Sequence, residues 1–192
     1  MGNHDFVIAA LIIWAVWGVS WVAAGLWAAR SVGRASVGSY GFHLGIAFAG
    51  YGLLFFGRPA SSHPLWLLPA WLGWSMVGLV VAGFLFSWWG RLHLGALWSA
   101  TIIRREGHRI VDTGPYALVR HPIYTAIIAG AIGLAVVKAT PIALAGAALI
   151  AIGFRLKARV EEDYLAAELG QDAYASYRRR VPMLIPFAKV AG

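Results

Sequence analysis

The sequence predicts an all-α, polytopic membrane protein with about five transmembrane helices, a short helical hairpin and cytoplasmic amphipathic segments. Hydrophobic residues make up 60% of the 192 residues, and charged residues only 12%. The mean hydropathy is +0.69. The apolar residues gather in five runs separated by polar segments, and a helix needs about 20 apolar residues to cross a bilayer. Together these observations exclude a soluble globular domain.

The first three apolar runs are each long enough to span a membrane. Residues 6–29 contain no charged side chain. This run is too long for the core of a signal peptide, and no basic segment precedes it. The second run covers residues 37–57 and the third covers residues 65–89, with Arg58 and Pro59 between them. Three hydrophobic crossings are therefore expected before residue 90.

The fourth and fifth runs are shorter and form the expected hairpin. They cover residues 122–137 and 141–154, and residues 138–140 alone join them. Helices of this length must tilt, thin the bilayer locally or extend beyond their apolar cores. Both runs are rich in glycine and alanine, which let helix backbones approach closely in lipid.

Two polar segments follow the hairpin. Residues 155–169 place apolar side chains at helical spacing, and Gly170 marks the end of an amphipathic helix. Within it, Lys157 and Glu161 lie four residues apart and share a face. An exposed pair of this kind is worth roughly 0.3–0.5 kcal/mol, so a structural and a functional role are both open. Residues 174–187 are basic and aromatic, which is typical of an interfacial tail.

The basic residues predict the orientation in the membrane. All of the sixteen Lys and Arg residues except Arg58 and Lys138 fall on one side of the five predicted crossings. By the positive-inside rule the amino terminus is outside, and the polar loops and carboxyl terminus are cytoplasmic. This asymmetry and attraction to anionic lipid account for the net charge of +8 without a nucleic-acid partner.

The polar residues concentrate in the second half of the chain. Residues 1–89 are expected to be a three-helix scaffold, and residues 90–192 the cofactor-binding and catalytic half of one integrated membrane domain. The richest segment is 107–124, where His, Arg and Tyr side chains precede a helix that Pro122 can begin. A headgroup-anchoring belt would explain these residues singly, but their clustering favours a ligand site. With no cysteine, thiolate metal sites and cysteine nucleophiles are excluded.

An ordered set of short motifs resembles the isoprenylcysteine carboxyl methyltransferase family, which are integral membrane enzymes. No single motif is specific to this family, but the order of the motifs along residues 90–187 is. Residues 1–89 match this family only in being hydrophobic. The matching residues are Leu94, Gly95, Trp98, Ser99, Gly107, His108, Val111, Gly114, Tyr116, Arg120, His121, Pro122, Tyr124, Glu161, Glu162, Leu165, Gly170, Tyr174, Tyr177, Val181, Pro182, Ile185 and Pro186.

The resemblance implies a pocket for S-adenosyl-L-methionine and no metal. It also implies a substrate-binding basic residue one helical turn before the glutamate, which is Lys157 here, with Arg155 or Arg159 as the substitute. We take Lys157 and Arg159 as the catalytic candidates. The implied cofactor-binding residues are His108, Arg109, Ile110, Val111, Tyr116, His121, Pro122, Ile123, Tyr124 and Glu161, with Thr101 at the edge.

The expected function is methyl transfer to a lipophilic acceptor at the membrane, a carboxylate of isoprenylcysteine type. A phospholipid amine or a small thiol is the alternative acceptor, and either would need deprotonation, for which His108 or His121 has a suitable intrinsic pKa. A sterol-reductase-like enzyme and a non-enzymatic membrane protein also stay open. Partners are membrane lipids and a lipophilic or lipidated substrate, and the sequence does not predict the oligomeric state.

Overall fold

The computed structural model describes residues 3–25, 38–57, 64–95 and 110–189. Every regular element in these ranges is helical, as the sequence predicts. A 3-10 turn at Gly114–Ala117 precedes α4. The α-helices are α1 His4–Gly25, α2 Gly38–Phe56, α3 Ala70–Leu94, α4 Pro122–Lys138, α5 Pro141–Leu169 and α6 Gln171–Arg180.

Each predicted apolar run contains a helix within the described residues, although α3 begins at Ala70 and not at residue 65, and not all of the helices have the length of a full crossing. By length and composition, α1, α3 and α5 are long and apolar enough to span a membrane. The apolar stretches Gly41–Phe56 and Pro122–Lys138 are shorter. The surface of this bundle is apolar enough to face lipid, because Val16, Val19 and Val22 of α1 are 64%, 72% and 73% exposed. The number of crossings stays a prediction.

Two helices extend beyond the apolar runs. The third helix ends at Leu94, after Gly90 and Arg91, because neither residue interrupts the helical hydrogen bonds. The fifth helix joins the fifth apolar run to the whole amphipathic segment and spans 29 residues, or about 44 Å. It ends where predicted, at Gly170, whose φ of 99° favours glycine. This length carries α5 from the apolar bundle into the polar end of the molecule.

The hairpin between α4 and α5 turns through two residues. Ala139 adopts a left-handed conformation with a φ of 50°, and the Thr140 side chain accepts a hydrogen bond from the backbone N–H of Ala143 at 3.3 Å. The Lys138 ammonium donates to the carbonyl of Leu54 at 2.5 Å. That contact occupies one of the carbonyls left unpaired at the end of α2 and fastens the hairpin to it.

Close packing of α2 on α5 depends on glycine. A Cβ at Gly146 would lie 2.6 Å from the backbone nitrogen of Leu54, and one at Gly153 would lie 2.8 Å from that of Ala47. No side chain fits at these distances, so the two backbones are in direct contact. The small residues of the hairpin thus have the packing role predicted for them.

Candidate functional site

The site is built where an extended segment leads into α4. Pro122 occupies the first helical position and keeps the residue before it out of the helical region, so the N–H groups of Arg120 and His121 lie outside the helix and take other partners. The Arg120 N–H donates to the carbonyl of Pro182 at 2.9 Å, and the His121 N–H donates to that of Met183 at 3.1 Å. The segment after α6 therefore lies along the start of α4, and both side chains of the Arg-His pair are buried.

A buried carboxylate, Glu162, holds this arrangement together. Its Oε1 lies 2.7 Å from the Arg120 Nε, and its Oε2 lies 3.1 Å from the Arg120 Nη2. The His121 Nε2 is 3.1 Å from Oε1, and the Arg178 Nε is 3.4 Å from Oε2. The Glu162 side chain is only 1% exposed. Protein groups therefore occupy both oxygens of Glu162. Such bidentate pairing compensates the cost of burying the charges.

The neighbouring carboxylate, Glu161, is bound differently. The Tyr124 hydroxyl donates to its Oε1 at 2.6 Å, and the Lys157 Nζ lies 3.9 Å from the same oxygen. Its Oε2 faces only the Nδ1 of His121 in these contacts, at 3.6 Å. The Glu161 side chain is 16% exposed. Unlike Glu162, Glu161 has an oxygen that can accept a hydrogen bond from a ligand.

The rings beside Glu161 form a stacked pair. The His121 and Tyr124 rings are 5.3 Å apart and inclined by 3°, and Phe154 lies 5.0 Å from Tyr124. The Lys157 ammonium sits 5.0 Å from the centre of the Tyr124 ring, which is within the range of a cation–π contact. The cluster therefore already holds one cation, the Lys157 ammonium, beside a carboxylate and an aromatic face.

Buried tyrosines join α6 and the 3-10 turn to the site. The Tyr177 hydroxyl donates to the carbonyl of Tyr116 at 2.7 Å. Burial raises the pKa of Tyr116, Tyr174 and Tyr177 above their ordinary range, so all three stay neutral donors at physiological pH. The turn itself packs on α3: Gly114 has a φ of +57°, and a Cβ there would lie 2.7 Å from the His93 ring.

The predicted site residues fall into four groups. His121, Tyr124, Glu161 and Lys157 come together in one cluster. Four further residues are buried or packed on a core cluster: Tyr116 and Pro122 are buried, Ile123 packs on the main core, and Ile110 packs on the core cluster of Tyr174 and Tyr177. Val111 is half-buried and Arg159 is exposed, with no ion pair to Arg159 among the described residues. Thr101, His108 and Arg109 lie outside the described residues.

Sequence reasoning did not single out Arg120 or Glu162 as site residues, although they form the strongest polar contact here. A signal for Glu162 was present in the chain. It lies four residues after Ala158 and four before Ala166, and all three are buried on one stripe of α5. A carboxylate on a buried helical stripe must have a cationic partner, and Arg120 is the partner.

Comparisons with known proteins show which family and fold this chain is similar to. Residues 76–167 match the model of the isoprenylcysteine carboxyl methyltransferase (ICMT) family. "Protein-S-isoprenylcysteine O-methyltransferase B" of Arabidopsis thaliana is 36% identical over 45% of this chain and 44% of its own. "Methanethiol S-methyltransferase" of Mycobacterium tuberculosis is 34% identical over 68% of this chain and 51% of its own.

"Cobalt-zinc-cadmium resistance protein CzcN" of Cupriavidus metallidurans is 32% identical over 63% of this chain and 51% of its own. The chain thus spans about half the length of these curated relatives. A solved structure of the eukaryotic intramembrane Ras methyltransferase ICMT shares the fold, with a TM-score of 0.56 at 20% identity over 80% of this chain and 54% of that one. The family match and the named methyltransferases support the isoprenylcysteine carboxyl methyltransferase family for residues 76–167 of this chain, and the solved structure shows that the fold is shared.

Proposed function

We propose that this chain transfers a methyl group from S-adenosyl-L-methionine to a lipophilic acceptor at the membrane, a carboxylate of isoprenylcysteine type. One observation carries the proposal: of two adjacent carboxylates in the family-matched segment, Glu162 is saturated by protein groups, whereas the Glu161 side chain is 16% exposed and its Oε2 meets only the His121 Nδ1, at 3.6 Å, among the described residues. A ligand with hydroxyl and cationic groups fits this second carboxylate.

The described residues suit this methyl donor. When bound, S-adenosyl-L-methionine supplies a methyl group already activated on a sulfonium. Glu161 would accept from an ammonium or hydroxyl group of the cofactor, and the Tyr124 ring would face a cation. We propose Ile110, Val111, Tyr116, Pro122 and Ile123 as the wall of the same pocket. His108 and Arg109, with Thr101 at the edge, would complete it.

The surroundings of His121 support a carboxylate acceptor. Its Nε2 lies 3.1 Å from Glu162 and its Nδ1 lies 3.6 Å from Glu161, so both ring nitrogens face carboxylates. A ring held in this way is poorly placed to take a proton from a thiol or an amine. A carboxylate is already deprotonated and needs only positioning beside a cation. We propose Lys157 for that cation, with Arg159 as the second candidate.

A small thiol is the second candidate acceptor. The Mycobacterium tuberculosis relative is named for methanethiol and matches a larger share of this chain than the Arabidopsis thaliana relative does. A thiol must lose its proton before or during transfer. His108 would then be the base, since both nitrogens of His121 already have partners.

We further propose that residues 1–89 form the scaffold and residues 90–192 form the catalytic half. The amino terminus would be outside and the catalytic segments cytoplasmic. This orientation is supported by the gathering of Arg120, Lys157 and Arg178 at one end of the bundle, since basic residues favour the cytoplasmic side. Lys138 lies at the opposite end, beside the α4–α5 turn.

Transfer of a radiolabelled methyl group would test the acceptor. The purified protein would be incubated with methyl-labelled S-adenosyl-L-methionine and, in parallel, an S-farnesylated N-acetylcysteine, its methyl ester, phosphatidylethanolamine or an alkanethiol. We expect base-labile label on the free acid and none on the ester, which differs only in its blocked carboxylate. Label on the thiol alone would establish the second candidate. Binding of NADPH with no transfer would instead favour the reductase-like alternative.

The variant Lys157→Gln would test the proposed cation. Because Lys157 is assigned to the acceptor but also lies 3.9 Å from Glu161, the variant should raise the KM for the carboxylate acceptor by a larger factor than it weakens binding of S-adenosylhomocysteine. Asp163→Asn is the matched control, since Asp163 is exposed on the same helix. An unchanged KM for Lys157→Gln would remove Lys157 from the acceptor site and leave Arg159 to be tested.

A further inference from the structure

A basic hollow lies beside the Arg120–Glu162 pair, and Arg120 is part of its lining. Its volume is about 540 Å³, and it lies between the polar half of α5, one face of α6 and the segment 182–189. Its basic lining consists of Arg120, Arg155, Arg178, Arg179 and Lys189, and no acidic side chain from the described part of the chain lines it. The cluster around Glu161 does not use this space.

The charges in this hollow are only partly compensated. Arg120 and Arg178 face Glu162, at 2.7 and 3.4 Å. For Arg155, Arg179 and Lys189, no carboxylate within the described ranges lies at ion-pair distance. Three cations held around one concave surface repel each other unless an anion joins them. The hollow is therefore shaped and charged for an anionic group.

The rim of the hollow is apolar. Met183, Leu184 and Ile185 line it beside the cations. Ile185 is 69% exposed, and Phe187, two residues further, is 87% exposed. Exposed apolar side chains next to cations are typical of a surface that lies in the headgroup layer, where each kind of group has a partner. A soluble anion would meet the cations but leave the apolar rim in water.

We infer that this hollow binds the phosphate headgroup of an anionic phospholipid. Guanidinium groups bind phosphate oxygens through parallel N–H donors, and basic pockets at the membrane surface select anionic lipids. The acyl chains would extend along Leu184, Ile185 and Phe187 toward the bundle. Because Arg120 lines the hollow and also holds Glu162, the lipid would sit beside the methyl-transfer site without entering it.

Binding of a short-chain lipid to the purified full chain tests this inference. Dihexanoyl phosphatidylglycerol would be titrated into the protein in an uncharged detergent, with dihexanoyl phosphatidylcholine as the zwitterionic control. We expect saturable binding of the first, and at least tenfold weaker binding of the second. The double variant Arg155→Gln, Arg179→Gln should weaken binding of the anionic lipid by on the order of tenfold or more.

The matched control is Arg159→Gln, Arg180→Gln, which removes the same charge from the same two helices outside the hollow. Binding should stay within about threefold of the parent. Equal weakening in the two double variants would mean general surface attraction and would overturn the assignment. So would equal affinity for the two lipids, or binding of inorganic phosphate as tight as that of the lipid.

Folding is followed by the thermal unfolding of the intrinsic tryptophan fluorescence. If the double variant Arg155→Gln, Arg179→Gln unfolds, Lys189→Gln provides the test instead. Lys189 is exposed in the segment 182–189, and its substitution should weaken binding of the anionic lipid several-fold. Affinity unchanged by Lys189→Gln would then contradict the site. Lipid binding is measured without a methyl donor, so this result does not depend on the proposed activity.

Discussion

Removing the charge of Glu162 should destabilise the protein more than any other single carboxylate change in α5. Glu162→Gln keeps the size of the side chain but leaves the Arg120 guanidinium, 7% exposed, without its anion. Breaking a buried pair by removing one partner costs about 3–5 kcal/mol. The contact with Arg178 adds little because that side chain is 48% exposed, and exposed pairs are worth about 0–1 kcal/mol.

The size of this effect can be read from thermal unfolding in detergent, since the chain has ten tryptophans. A change of 1 kcal/mol shifts the Tm of a chain of this size by about 2–4 °C, so Glu162→Gln should lower it by roughly 6–20 °C. Asp163→Asn removes the same charge from an exposed neighbour and should shift the Tm by no more than about 2 °C. A similar Tm for both variants would refute the structural role given to Glu162.

Three further predictions concern packing and pH. Gly146→Ala should lower stability by about 1–3 kcal/mol, whereas Gly18→Ala should not, because a Cβ there meets nothing within 4 Å; thermal unfolding compares them, and equal Tm values would contradict the contact of α2 with α5. Lys138→Met should cost about 1.5 kcal/mol in the same assay, and an unchanged Tm would show that its bond to α2 is not formed. Burial raises the pKa of Tyr174 and Tyr177, so stability should be full below pH 10, the ordinary tyrosine value, and fall above it. Tyr177→Phe should move the alkaline unfolding midpoint upward, and an unmoved midpoint would contradict burial of its hydroxyl.

Local sequence signals predict the helices and several of their ends. Pro122 and Pro141 occupy first helical positions, and Gly170 ends α5, because the conformational limits of proline and glycine act on the adjacent backbone alone. The continuation of α3 to Leu94 was not predicted. In the sequence, Gly90 and Arg91 indicate the polar end of an apolar run. In the structure, Gly90 lies against Pro122 of α4, and a contact between such distant parts of the chain cannot be predicted from the local sequence.

The site residues also divide into those that the sequence could indicate and those that depend on contacts between distant parts of the chain. His121, Tyr124, Lys157 and Glu161 could be named from motifs whose order resembles a family. The partners of Glu162 could not, because the spacing of Ala158 and Ala166 marks its helix face as buried but which cations meet that face depends on the packing of α4, α6 and the following segment. Its partners are 42 residues away in sequence for Arg120 and 41 for His121, a distance over which residue spacing alone carries no geometric information.

The most direct test of the proposed function is calorimetric titration of the purified protein with S-adenosylhomocysteine, repeated with Glu161→Gln and with Asp163→Asn. Saturable binding to the parent and to Asp163→Asn, weakened at least tenfold in a folded Glu161→Gln variant, is the result that we predict. Binding of equal affinity to the parent and Glu161→Gln would contradict the assigned pocket. No binding to a folded parent would contradict the methyltransferase function itself.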